Sequence, residues 1–296
     1  MTVERRGPLL AIVLLGLALV ALAVVAVTRS AGAQEPEIQR TAETITPDPS
    51  VARGDRGRPG RCPTRTQLGA KLRCIYGKRR SSTNAVVFGD SKAMQHFPAL
   101  NRVAHRRGWR LVGLMRAGCP PMVVKYAYRC DTWRKRNLRR LDRIDPELVI
   151  TSAGTHYQVV RNGRRLSRKR SRPILRRAYI RTLNRLGRNG TRVAVLVNPP
   201  RAPEDPVECV IANREALDQC AFERGPTPYR TYVTKAAHRS RAAQTVDINQ
   251  VACPGRICPA VIDDILVMRD RVHLTATFVR TLDEWLDERL PTARGR

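Results

Sequence analysis

Short apolar runs recur along the middle of this 296-residue chain, and stretches with apolar residues three and four positions apart lie between them. The short runs predict buried strands, and the longer stretches predict amphipathic helices. The predicted strands are Ala85–Phe88, Arg110–Leu114, Leu148–Thr151, Val193–Val197 and Val246–Ile248. The predicted helices are Ala93–Arg107, Asp131–Arg143, Ile174–Gly187, Tyr229–Ala243 and Phe278–Leu290.

This alternation predicts the fold class, a three-layer α/β/α sandwich with a mostly parallel sheet of about five strands. Turn residues agree with it, because Asn189-Gly190 precedes the fourth strand and Asn198-Pro199-Pro200 follows it. The carboxyl ends of parallel strands meet at one edge, where open α/β sheets form their binding sites. We therefore expect the functional residues directly after strands.

The N-terminal part of the chain lacks this alternation. Leu9–Val27 is an uninterrupted apolar run that is long enough for one transmembrane helix. Its length favours an uncleaved anchor over a signal sequence, although Ala31-Gly32-Ala33 resembles a cleavage site. We predict an anchor or signal in residues 1–28, a disordered linker in residues 29–61 that is rich in Pro, Gly and charge, and one folded domain in residues 62–296.

Eight cysteines at close spacings in an exported chain indicate disulfides. Nearest-neighbour pairing gives Cys62–Cys74, Cys119–Cys130, Cys209–Cys220 and Cys253–Cys258. Spacing alone leaves the connectivity open, since eight cysteines allow about 105 arrangements. A zinc site is the competing interpretation, and it is disfavoured because the chain has no Cys-x-x-Cys pair. We expect no metal.

The net charge is +30, from 55 Lys and Arg against 25 Asp and Glu. One interpretation is that this charge binds anionic polymers or lipid headgroups of a cell envelope. The other is that the arginines only form a solvated surface without a partner. The densest basic run, Arg164 to Arg172, precedes the helix predicted to begin near Pro173, so we predict a loop on the catalytic side of the sheet. No recognition motif accompanies the charge, so nucleic acid is not an expected partner.

Two short motifs fit one catalytic unit. Phe88-Gly89-Asp90-Ser91 follows the first strand, and Asp270-Arg271-Val272-His273 precedes the last helix. A serine hydroxyl becomes a good nucleophile when an imidazole takes its proton and a carboxylate fixes that imidazole. We therefore predict Ser91 as nucleophile, His273 as base and Asp270 as its orienting acid, although all three could be helix caps. Asp90 is expected to bind loop amides, and Lys92 to lie on the surface.

These motifs resemble those of the SGNH (GDSL-type) hydrolase family, over roughly Asn84 to Leu290. The run Gly118-Cys119-Pro120-Pro121 is similar to that of the extracytoplasmic branch fused to acyltransferase-3 membrane domains. The resemblance implies the triad above, no cofactor, and an oxyanion hole formed by the backbone N–H groups of Ser91 and Gly118. The family's Gly-x-Asn block is Gly154-Thr155-His156 here, which makes His156 the candidate third donor.

The resemblance implies an exported, membrane-anchored serine esterase or O-acyltransferase, or a secreted one if the N-terminal segment is cleaved. Its substrates would be acyl esters, most simply acetyl esters, of cell-envelope polysaccharides or other acylated glycans. Water as acceptor gives an esterase, and a sugar hydroxyl gives a transferase, which would need a membrane acyltransferase protein as donor. The alternative is a catalytically impaired cationic module that binds anionic envelope polymers.

Overall fold

The computed structural model describes residues 38–57, 74–126 and 130–293. The strands are β1 (Ile75–Gly77), β2 (Asn84–Gly89), β3 (Arg110–Met115), β4 (Leu148–Ser152), β5 (Val160–Arg161), β6 (Arg164–Arg165), β7 (Arg192–Val197), β8 (Phe222–Glu223), β9 (Ala243–Asp247), β10 (Ile257–Cys258), β11 (Val261–Ile262) and β12 (Ile265–Leu266). The helices are α1 (Pro49–Ala52), α2 (Ser91–Met94), α3 (Phe97–Arg106), α4 (Asp131–Ile144), α5 (Arg168–Leu186), α6 (Pro206–Ala212), α7 (Thr227–Arg230), α8 (Tyr232–Arg239), α9 (Asn249–Ala252), α10 (Ala276–Thr281) and α11 (Asp283–Arg289), and 3-10 turns span Arg188–Gly190 and Leu217–Cys220.

A six-stranded sheet of order β1-β3-β2-β4-β7-β9 forms the centre of the mixed α/β fold. Five of its strands are parallel, which confirms the predicted mostly parallel sheet. Alternate strand residues face opposite layers of helices: Val86 and Phe88 contact one core, and Ala85 and Val87 contact the other. Helices α3, α10 and α11 cover one face, and α4, α5 and α8 cover the other.

Six strands are present instead of about five, because Ile75–Gly77 adds an antiparallel edge strand through pairs such as Ile75 with Val112. A three-residue strand is too short to produce a recognisable alternation.

Two predicted helices are divided in the structure. The helix predicted over Ala93–Arg107 is two helices, α2 and α3, because Pro98 lies in the first turn of α3 and starts a new helix there. The helix predicted over Tyr229–Ala243 is also two helices, α7 and α8, and Thr231 caps α8 at the break. Ala243 already belongs to strand β9.

The basic run is regular structure, so its assignment to a loop was wrong. Strands β5 and β6 form a hairpin, and α5 then begins at Arg168. Ser167 provides the helix cap, since its hydroxyl accepts the Arg170 N–H at 3.3 Å. The helix starts before Pro173 and continues through it.

The disordered linker predicted for residues 29–61 was wrong over residues 38–57, which pack against the domain. Thr46 bonds the chain on both sides of Ile265, through its N–H to Asp264 O at 2.8 Å and its carbonyl to Leu266 N at 2.9 Å. Ile45 is buried in a small core with residues such as Val210 and Leu266. Isolated apolar residues stabilise this segment without any periodic pattern. The other linker residues lie outside the described ranges.

Three predicted disulfides are present: Cys119–Cys130, Cys209–Cys220 and Cys253–Cys258. Cys74 is also disulfide-bonded, and Cys62, its predicted partner, lies outside the described residues. The predicted membrane span Leu9–Val27 lies outside them as well. Among residues 38–57, 74–126 and 130–293, no helix is long and apolar enough to cross a membrane.

Candidate active site

The turn after β2 places Ser91 at the carboxyl edge of the sheet. A Cβ atom on Gly89 would lie 2.6 Å from the carbonyl oxygen of Ser152 and 2.8 Å from the Ala93 Cβ. Glycine is therefore required where the chain leaves the sheet next to β4. Helix α2 begins at Ser91, with Asp90 as its N-cap.

Asp90 ties this turn to the loop after β4, as the sequence predicted. Its Oδ1 accepts the Lys92 N–H at 2.8 Å, and its Oδ2 accepts the Gly154 N–H at 2.8 Å and the Tyr157 hydroxyl at 2.5 Å. Burial raises the pKa of Asp90, and these three donors oppose that rise. The backbone around Ser91 is fixed from two sides.

The structure brings together the three residues of the predicted triad. His273 Nε2 lies 2.9 Å from Ser91 Oγ, and His273 Nδ1 lies 2.9 Å and 3.0 Å from the two carboxylate oxygens of Asp270. Asp270 Oδ1 also accepts the backbone N–H groups of Val272 and His273 at 2.9 Å and 2.8 Å. The carboxylate thus fixes both the turn and the imidazole, the geometry of a hydroxyl–imidazole–carboxylate relay.

The electrostatic setting keeps the base neutral and the acid ionised. Desolvation lowers the pKa of His273, its hydrogen bond with Asp270 opposes this, and the charge of Lys92 lowers it further. Burial also works against ionisation of Asp270, but the hydrogen bonds from His273 and the Val272 N–H, together with nearby positive charge including Arg269, outweigh burial and lower its pKa. Near neutral pH, His273 Nδ1–H therefore donates to Asp270, and Nε2 is free to accept the Ser91 proton.

Lys92 is half-buried, so the predicted surface position was wrong. Its Nζ donates to the Val272 carbonyl, inside the loop that carries Asp270 and His273. Burial lowers the pKa of Lys92 to about 8, against the opposing charges of Asp90 and Asp270. No sequence pattern distinguishes this lysine from an exposed one, because its partner is a backbone carbonyl 180 residues away.

A second contact to the same loop comes from Gln95, which the sequence analysis missed. Its Oε1 accepts the Leu274 N–H at 3.1 Å, and its amide donates to Asn198 Oδ1. Asn198 Oδ1 also accepts from His96 Nε2 at 2.7 Å, and Asn198 Nδ2 donates to Ser152 Oγ at 2.6 Å. Burial lowers the pKa of His96 to about 4, so this ring is a neutral packing element.

Gly118 lies in a turn beside the end of β2. The Arg116 N–H donates to the Gly89 carbonyl and the Cys119 N–H to the Arg116 carbonyl, both at 3.0 Å. Gly118 has φ +73°, which glycine adopts without strain, and the Cys119–Cys130 disulfide holds the following residue. Within the described ranges, neither the Gly118 N–H nor the Ser91 N–H has a hydrogen-bond acceptor. Both N–H groups are therefore candidate donors to an oxyanion.

His156 is exposed, and its ring centroid lies 4.5 Å from that of Tyr157. Desolvation lowers its pKa, Asp90 opposes this, and the charges of Lys92, Arg168 and His273 add to the lowering. A neutral imidazole can still donate one hydrogen bond. Its role as third oxyanion donor stays a prediction.

An open cleft of about 330 Å³ lies over Ser91. Besides Ser91, Asp270 and His273, it is lined by Arg56, Gly57, Met94, Gln95, Ala117 and Arg269. Arg56 and Gly57 come from the segment that was predicted to be a linker. Gly57 packs closely here, since a Cβ atom on it would lie 2.4 Å from the Gln95 carbonyl oxygen.

Comparison with known proteins identifies a family for the sequence and similar solved structures for the fold. A family described as SGNH domain (fused to AT3 domains) matches residues 61–287. The fold is similar to the periplasmic domain of a lipopolysaccharide acetyltransferase from Salmonella ser. Paratyphi A, with a TM-score of 0.54, 16% identity, and coverage of 73% of this chain and 85% of that chain. A carbohydrate acetylesterase from Sinorhizobium meliloti aligns with a TM-score of 0.42 and 15% identity, over 70% of this chain and 97% of that chain. No curated protein matches the sequence.

Proposed function

The chain belongs to the family of SGNH domains that are fused to AT3 domains, and from this we propose that Ser91, His273 and Asp270 form the triad of an extracytoplasmic O-acyl esterase or O-acyltransferase. Membership in this family makes the protein an ester hydrolase or acyltransferase. The observation that carries the residue assignment is the continuous hydrogen-bonded chain from the Ser91 hydroxyl through His273 to Asp270. Its proposed substrates are acyl esters of cell-envelope glycans.

In the proposed reaction, His273 Nε2 takes the Ser91 proton while Oγ attacks the ester carbonyl carbon. The N–H groups of Ser91 and Gly118 donate to the resulting oxyanion. The C–O bond to the leaving alcohol then breaks, and His273 returns its proton to that oxygen. An acyl-Ser91 ester remains.

The second half of the reaction restores the enzyme. His273 removes a proton from the acceptor hydroxyl, the acceptor oxygen attacks the acyl carbon, and the Ser91 oxygen leaves with the proton from His273. Asp270 stabilises the imidazolium in both halves. Water as acceptor gives a free carboxylic acid, and a sugar hydroxyl gives a new ester.

The cleft supports a short acyl group, because Met94 and Ala117 are the apolar lining residues that it offers. Acetyl is the acyl group we propose. Three disulfides are typical of a protein that folds in an oxidising compartment. They support a domain that lies outside the cytoplasm and follows the predicted anchor in residues 1–28. A membrane acyltransferase protein is the proposed donor if the reaction is a transfer.

A catalytically impaired module that binds anionic polymers is the second candidate. It is favoured by one departure from the family pattern, the exposed His156 in place of asparagine.

Turnover of p-nitrophenyl acetate by the full chain and by Ser91→Ala separates these candidates. We expect the substitution to reduce kcat by at least about 10³-fold. Equal rates for the two proteins would reject the hypothesis that the protein is a serine esterase or acyltransferase. Mass spectrometry of an acetylated glycan after incubation then distinguishes loss of esters, which indicates hydrolysis, from gain of esters in the presence of a donor.

A further inference from the structure

The helices on the two faces of the sheet differ sharply in charge. Helices α3, α10 and α11 carry four arginines and four acidic residues. Ion pairs join them across the surface, for example Arg106 to Asp283 at 2.6 Å and to Asp287 at 2.9 Å. This face is electrically balanced within the protein.

The opposite face is not balanced. Six basic residues lie on α4, eight on α5 and two on α8, against two acidic residues, Asp131 and Asp142. Both acidic residues already have partners: Asp131 pairs with Arg134, and Asp142 pairs with Arg185 at 2.7 Å. These three helices therefore supply no further carboxylate for their exposed cations.

The most concentrated charge lies at the start of α5, where Arg168, Lys169, Arg170 and Arg172 are all exposed. This helix has no acidic residue in its first turn. Cations there oppose the helix dipole, so they destabilise the first turn. Local helix stability does not explain these residues, whereas an anion bound outside the protein does.

The four cations of the first turn surround the helix axis, and from one of them, Arg170, the positions of Arg177 and Arg181 continue along one side of α5. Arg170, Arg177 and Arg181 are separated by seven and four residues, so they lie on one exposed side of the helix. The helix has 19 residues and is roughly 28 Å long at about 1.5 Å per residue. The row of exposed cations is therefore long enough to contact several repeat units of a linear polymer.

The surface begins beside the catalytic edge. The chain passes from the carboxyl end of β4 through His156 and the β5–β6 hairpin to the first residue of α5. Arg168 is close enough for its charge to act on His156, which the charge of His273 also reaches.

We propose that six exposed side chains of α5 form a cationic track that binds an anionic polysaccharide and presents its acyl esters to Ser91. The track consists of Arg168, Lys169, Arg170, Arg172, Arg177 and Arg181. This inference rests on the proposed function and adds the class of substrate to it. Arginine suits this role because its planar fork binds carboxylates and phosphates with two hydrogen bonds.

A polysaccharide fits the track better than a lipid bilayer does. Helices that lie on membranes insert large apolar side chains beside their cations. The exposed large apolar residues of the described ranges are Val51, Val123, Ile211 and Tyr229, and none of them belongs to α4, α5 or α8.

Binding of fluorescently labelled polyglucuronate to the full chain tests the track. The triple variant R170Q/R177Q/R181Q removes three charges from it. The matched control K78Q/R79Q/R80Q removes three exposed charges from the β1–β2 loop, at the opposite edge of the sheet. We expect the track variant to weaken binding about tenfold or more at low salt, because three cations that would contact the polymer are lost. The control is expected to bind within about twofold of the unmodified protein, and added salt to weaken all binding.

Equal losses in the two variants would overturn the proposal, because they would indicate diffuse attraction by the net charge. Unchanged polymer binding by the track variant, with lost binding to vesicles containing anionic lipid, would overturn it in favour of a membrane surface. Thermal unfolding of both variants excludes misfolding as the cause of a loss. Failure of the proposed function is a separate result: Ser91→Ala would leave the turnover of p-nitrophenyl acetate unchanged while polymer binding through the track persisted.

Discussion

The Ser91 hydroxyl oxygen lies 2.9 Å from His273 Nε2, although 182 residues separate the two positions. Two contacts from the chain just after Ser91 hold the histidine loop there. Lys92 donates to the Val272 carbonyl, and Gln95 accepts the Leu274 N–H. Residues within four positions of Ser91 therefore fix the backbone on both sides of His273.

Replacement of the orienting acid tests the relay directly. Asp270→Asn would leave the side chain's size unchanged but favour the wrong tautomer of His273. We expect kcat for p-nitrophenyl acetate to fall by about 10³–10⁴-fold, with little change in KM. A fall of less than about tenfold would show that Asp270 does not act on the base.

When kcat/KM is plotted against pH, its fall on the acid side reports the protonation of His273. This fall is the acid limb of the profile. Because its pKa is lowered from 6.5, the base stays neutral and the enzyme active below that pH. Lys92→Gln removes a positive charge that contributes to this lowering, so the limb is expected to move to higher pH. Lys78→Gln, in an exposed loop, is the matched control and should leave the profile in place. A limb that does not move in Lys92→Gln would contradict the proposed influence of Lys92.

His96 makes folding sensitive to acid. Its pKa is about 4 in the folded protein and 6.5 in an ordinary environment, so the unfolded chain binds the proton more readily between these values. Stability from this group is complete above pH 6.5 and declines as the pH falls toward 4, by roughly 3 kcal/mol in total. Denaturant unfolding of the unmodified protein and of His96→Gln across this range should show a shallower pH dependence for the variant. Parallel curves would refute the assignment.

The close packing at Gly89 predicts a large effect of one methyl group. Gly89→Ala would force the new Cβ against the Ser152 carbonyl and the Ala93 side chain. We expect a loss of about 1–3 kcal/mol in unfolding free energy and reduced esterase activity, because Ser91 must shift. Gly108→Ala is the control for an added methyl group without a clash, because nothing lies within 4 Å of its Cβ; its φ of +69° adds some backbone strain, but its kcat should be unchanged. Full activity of Gly89→Ala would show that the turn tolerates displacement.

The N-terminal segment is predicted to stabilise the domain through Asp55. Its Oδ2 accepts the Thr277 N–H at 2.8 Å, and its carbonyl accepts the Ala276 N–H at 3.2 Å. Asp55→Ala is expected to reduce the unfolding free energy by about 1 kcal/mol, while Glu43→Ala, at an exposed position, should have almost no effect. Equal stability of all three proteins in denaturant would contradict the packing of this segment.

The meeting of Ser91, Asp270 and His273 could be predicted because its signals are local. Ser91 follows a strongly apolar strand, and Asp270 and His273 need only three residues of separation to meet. Lys92 and Gln95 could not be recognised, since their partners are backbone atoms of a loop about 180 residues away. Secondary structure could likewise be predicted only where the sequence has a clear pattern. The long apolar strands were predicted, whereas strand β1 and the ordered segment 38–57 were missed because they carry no periodic pattern.

The docked segment 38–57 also forms part of the cleft wall, since Arg56 and Gly57 line the cleft over Ser91. A shortened protein that begins at strand β1 would therefore lack one side of this cleft, as well as the packing of Ile45 and Thr46 against the domain. Residues 38–57 must accordingly be counted as part of the catalytic domain when its boundaries are chosen.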